Sequence, residues 1–82
     1  MPKRLSTVLF ATDKDALERM CKESNLNSYE TEIILRIYWK RQSLNFIADT
    51  MDFRKHGKEQ QYYSVRSINS FHKEAFMKLI IK

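Results

Sequence analysis

One cysteine, one glycine and one proline in 82 residues is a short supply of the residues that staple, turn and break chains. A lone Cys21 closes no internal disulfide, which excludes the disulfide-stapled secreted scaffolds. One Gly and one Pro are too few for an all-β sandwich, which needs turn residues about every 8–12 positions. No apolar run is long enough for a signal peptide or a membrane span; Val8-Leu9-Phe10-Ala11 stops well short. A nucleophile elbow, a Gly-rich phosphate loop and a carboxylate pair are all missing, and His56, His72 and Cys21 do not have the spacing of a zinc site. The sequence therefore predicts no enzyme, no cofactor and no metal, in a soluble, cytoplasmic protein. Its length allows one domain, residues 1–82, burying about 60–65% of its unfolded surface.

What is present is helical patterning and a localised charge. The chain carries 15 Lys and Arg against 10 Asp and Glu, a net +5. From Met1 to Trp39 the charges cancel, and from Lys40 to Phe53 they cancel again. The whole excess lies between Arg54 and Lys82, which points the C-terminal part toward a polyanion.

Thr12-x-x-Asp15 predicts a capped start for a helix carrying Ala16, Leu17, Met20 and Cys21 on one face and ending near Ser24. Asn27-x-x-Glu30, or Ser28 with Glu32, starts a second helix with an Ile33, Ile34, Ile37, Tyr38 stripe and Lys40-Arg41 in its last turn. Leu35 and Trp39 fall off that stripe. Ser43 caps a third helix, Leu44 to Met51, and a fourth runs from Tyr63 or Ser64 to Ile80 with Val65, Ile68, His72, Ala75 and Leu79 on its seam. His72 on such a seam reads as a packed, hydrogen-bonded core residue. Between the last two helices lies a polar run, Arg54 to Gln61, read as a loop or short hairpin turning at Gly57. Residues 1–12 form an arm for which three roles stand: packing on the core, a short strand, or a dimer contact. The expected fold is all-α, a single four-helix domain containing a helix-turn-helix with an extended turn, its core spanning residues 28–80.

Three features converge on a DNA reader. Ala48, in Leu44-x-x-Ile47-Ala48-x-x-Met51, is the small residue that lets two helix axes approach steeply, and Val65-x-x-Ile68 supplies two apolar positions near the start of the next helix. Around these lie Ser64, Arg66, Ser67, Asn69 and Ser70 as candidates for base contacts. Lys73 joins Lys40, Arg41, Ser43, Arg54, Lys55 and Lys58 as candidates for phosphate. The solvated face of an ordinary amphipathic helix is the plainer account of the same residues.

Ser28 to Trp39 with Ile33-Ile34-Leu35 and Tyr38-Trp39, then Ser43-Leu44-x-x-Ile47-Ala48, Val65-x-x-Ile68 and Lys73-x-Ala75-x-x-Lys78-Leu79 resemble the C-terminal region (region four) of bacterial sigma factors and the related small phage and plasmid transcription regulators. The resemblance covers Ser28 to Leu79. It implies that the last helix enters the major groove and that Ser64, Arg66, Ser67, Asn69 and Ser70 read bases, with Lys73 toward phosphate. Val65 lies seventeen positions after Ala48, where the motif has about ten, and Asp52 stands where a turn Gly is common. The insert is the basic, Gly57-containing run: either an added phosphate-contacting wing, or a sign that the helices are not a strict helix-turn-helix.

Two rival functions remain open in the sequence. A protein-interaction module would use Phe53, Trp39, Tyr62 and Tyr63 as anchors on a host protein such as RNA polymerase or a defence nuclease. RNA binding would use the basic loop with Tyr62-Tyr63. A homodimer through Val8–Ala11 or Phe76 and Ile80 is also open.

Overall fold

The computed structural model describes residues 4–81, and among them every regular element is helical. There are five α-helices: α1 (Leu5–Phe10), α2 (Lys14–Glu23), α3 (Ser28–Ile34), α4 (Leu44–Thr50) and α5 (Val65–Ile81). One π turn (Leu35–Trp39) continues α3, and one 3-10 turn (Phe53–His56) lies between α4 and α5. The expected count of four is corrected by α1. The apolar stretch near the start is a short helix rather than a strand, with Leu9 fully buried and Leu5, four residues before it, packed against the same cluster. Thr12 then closes α1, its hydroxyl donating to the Val8 carbonyl.

The caps explain where the other helices begin. Asp13, not Thr12, accepts the Ala16 N–H (2.8 Å) and starts α2, so the expected capping motif is shifted by one residue. Asn25 at φ 60 ends it, a left-handed turn that Asn tolerates. Asn27 and Glu30 form the expected reciprocal capping box on α3. Ser43 caps α4 through the Phe46 N–H.

The second expected helix does not stay α-helical to Arg41. It widens into the π turn, closed by the Lys40 N–H donating to the Leu35 carbonyl (2.9 Å), and Arg41 beyond it is left-handed at φ 56. Tyr38 remains buried while its neighbour Trp39 is turned outward, 44% exposed.

Two apolar clusters fill the interior. The first joins Leu9 of α1, Leu17 and Cys21 of α2, Ile34 and Tyr38, and Ala75 and Leu79 of α5. The second joins Ile33 of α3, Ile47, Ala48 and Met51 at α4, Phe53 and Ile68, with Tyr29, Tyr63 and Phe71 packed against them. Ile37 touches both, and α3 and α5 run through both as a shared spine. Val65 departs from the expected seam: it is 37% exposed, while Ile68 three residues on is fully buried. The second cluster is completed instead by Phe53, Tyr63 and Phe71, whose rings pack against one another.

The insert itself is a closed loop. The Asp52 carboxylate accepts the Arg54 N–H, Gly57 ends the 3-10 turn at φ 82, and the Phe53 N–H donates to the Gln61 carbonyl (2.9 Å). Only a glycine adopts that φ without strain.

Candidate nucleic-acid interface

Helix α5 is the longest element and, with α3, runs through both clusters. With Ile68, Ala75 and Leu79 buried, helical geometry sends Arg66, Asn69, Ser70 and Lys73, spaced i, i+3, i+4 and i+7, to the opposite side. Arg66, Ser70 and Lys73 are exposed and Asn69 is half-buried. None of the four makes a hydrogen bond or ion pair with another described residue. The remaining base candidates sit at the helix start and serve it: Ser64 Oγ accepts the Ser67 N–H and pairs with the Ser67 hydroxyl, each at 3.3 Å.

The phosphate candidates divide by what already holds them. Arg54 and Lys55 project from the 3-10 turn, exposed, as does Lys40 beyond the π turn. Ser43 is the α4 cap. The Arg41 guanidinium lies over the Phe10 ring (5.3 Å) and reaches the Phe10 carbonyl at 3.5 Å. Lys58 is the most enclosed: its ammonium lies 4.7 Å from the Tyr29 ring centre, 5.0 Å from Phe71 and 6.0 Å from Tyr63. That cage, formed by rings from α3, the inserted loop and α5, fastens the loop to the body by cation–π attraction.

A polar network fastens it from the other side. Glu32 accepts from Arg36 Nε (2.9 Å) with one oxygen and bonds His56 Nε2 (2.9 Å) with the other. Arg36 also donates to Thr50 Oγ1 (2.8 Å) and to Gln42. One carboxylate on α3 thus ties together the π turn, the end of α4 and the 3-10 turn. The Glu32/Arg36 pair has the i, i+4 spacing that a sequence shows; the partnership with His56, 24 residues away, has no local signal. Below it, Glu30 is only 1% exposed, and its Oε1 accepts from both the Asn27 N–H and Lys78 Nζ (2.7 Å). Lys78 therefore stands apart from the outward stripe. Among the described residues the C-terminal cations are split by the fold into engaged ones, Lys58 and Lys78, and unengaged ones, Arg54, Lys55, Arg66 and Lys73.

His72 behaves as a core residue. Its Nε2 is 2.7 Å from the Tyr38 hydroxyl, and burial pushes its pKa below 6.5. Burial also pushes the Cys21 thiol up to about 11, which removes it from nucleophilic chemistry at neutral pH. Among the described residues no group of three or more His, Cys, Asp or Glu side chains could hold a metal ion, and no helix is long and apolar enough to cross a membrane. Comparison with protein-family models, curated proteins and solved structures returned no match.

Proposed function

We propose that this chain is a sequence-specific duplex-DNA-binding transcriptional regulator, a sigma-region-four-like helix-turn-helix with an enlarged turn, whose α5 lays its first half in the major groove. The observation that carries this reading is the outward stripe Arg66-Asn69-Ser70-Lys73, unpaired and mounted over a rigid seam. Arg and Asn are the side chains whose paired donors and acceptors match guanine and adenine edges. Arg54 and Lys55 supply sequence-independent attraction from the loop. Four cations engaged on phosphate or guanine give a log–log dependence of affinity on salt of about −3.5. Titrating labelled duplex across salt concentrations measures it, and no binding at low salt rejects the proposal.

The exposed Trp39 at the end of the π turn favours one second reading: a surface that anchors a protein partner such as RNA polymerase. A partner retained from lysate after nuclease treatment, and lost in Trp39→Ala, would support it.

A further inference from the structure

A groove of about 400 Å³ lies between α1 and α5, lined by Ser6, Tyr38, His72, Lys73, Phe76 and Met77. Its surface is almost wholly carbon: Tyr38 and His72 direct their polar atoms at each other, and Lys73 contributes its methylene stem to the wall. Burial keeps the imidazole uncharged at neutral pH, so Lys73, an exposed residue, is the only charged one beside the groove, and its ammonium has no partner among the described residues. Met77, 53% exposed, stands at the wall. Small-molecule sites occupy roughly 300–1,000 Å³ and combine an apolar body with a few placed polar groups. An apolar cation would meet Lys73 unfavourably, and a neutral molecule would gain nothing from the ammonium beside it. An apolar anion satisfies both the carbon wall and the lone cation.

We propose that this groove binds a small apolar carboxylate, its tail against Tyr38, Phe76 and Met77 and its carboxylate on Lys73 Nζ, and that occupancy withdraws Lys73 from DNA. The withdrawal rests on the DNA-binding reading above; the binding itself does not. Because Lys73 belongs to both the groove and the reading stripe, the two ligands compete for one ammonium, and their affinities are reciprocally linked.

Titration of the free protein with decanoate and with decanol, followed by amide resonances, tests the binding. Saturable shifts centred on Ser6, His72 and Met77 are expected, with decanoate about three- to fivefold tighter than decanol, the scale of a partly exposed ion pair. Lys73→Gln should bring decanoate down to the decanol affinity. Met77→Glu, which sets a carboxylate one helical turn from Lys73, should weaken decanoate more than decanol. Absence of saturable shifts into the millimolar range, equal affinities for the two probes, or an unchanged decanoate affinity in Lys73→Gln overturns the proposal. So does self-association that Met77→Glu abolishes without any probe binding, which assigns the groove to a second copy. In the second arm, saturating decanoate should reduce the salt slope of duplex binding by about one. An unaltered slope with decanoate bound overturns the competition. No duplex binding under any condition overturns the function proposed above and the competition with it, and leaves the decanoate result standing on its own.

Discussion

The two ends of α5 rest on differently made cores. Around Ala75 and Leu79 the neighbours are Leu9, Leu17, Cys21 and Ile34 from α1, α2 and α3, joined by Tyr38 of the π turn. Around Ile68 the packing depends on Phe53 and Tyr63, two rings outside the α-helices, and on Lys58 and His56 pinned to α3. The first end is a helix bundle in the ordinary sense. The second is a helix pair whose intervening turn has become part of the core, and it is the end that holds the proposed reading stripe in place.

The sharpest way to break this contrast is to remove the ring that centres the second cluster. Phe53, fully buried, contacts Tyr29, Tyr63 and Phe71. Phe53→Ala should cost about 3–5 kcal/mol in denaturant unfolding and should loosen hydrogen-exchange protection around Ile68 more than around Leu17. Uniform loss of protection would show that the two ends form one cooperative unit.

A smaller effect is expected from the lysine over the rings. Lys58→Ala should destabilise by about 1–2 kcal/mol, with Lys58→Arg retaining most of the stability, since either cation can face the rings. Equal losses in the two variants would deny that the charge matters.

The first end carries its own pH dependence. The folded protein resists protonation of His72 while the unfolded chain takes up the proton near pH 6.5, so this contribution to stability is full above that pH and falls as pH drops through 6.5, levelling below the folded pKa. The difference between the wild-type and His72→Phe profiles, read from urea midpoints between pH 8 and 5, isolates it. A stability that rises on acidification in that difference would contradict the buried, neutral imidazole.

The smallest effect belongs to Val65. Exposed as it is, Val65→Thr should change stability by about 0.5 kcal/mol or less, against about 2–5 kcal/mol for Ile68→Ala.

The same contrast governs how much the sequence could tell. Periodicity and caps located α3, α4 and α5 and the cores they share, because those signals are local: Asn27 with Glu30, Ser43 before Leu44, and Ile68-Ala75-Leu79 on one seam. The Arg66-Asn69-Ser70-Lys73 stripe was readable for the same reason, being the complement of that seam. What escaped was set by partners far along the chain. Val65 stays partly exposed while Phe53 and Tyr63 pack into the second cluster. Lys58 was turned from solvent by rings from three segments, and His56 found Glu32 across 24 positions. The π turn has no signature in a stripe that fits an α-helix equally well, although that stripe already put Tyr38 on the buried side and Trp39 off it. The helical form of residues 5–10 was hidden by the lack of any side-chain cap at its start.

Selection of bound sequences from a random duplex pool, run in parallel on the wild type, Arg66→Ala and Asn69→Ala, bears most directly on the role assigned to α5. Enrichment of a defined motif by the wild type is predicted, with each variant losing preference at one or two base positions and about 1–3 kcal/mol of discrimination there. Enrichment of the same motif by all three proteins, or of none by the wild type, would contradict α5 as the reader.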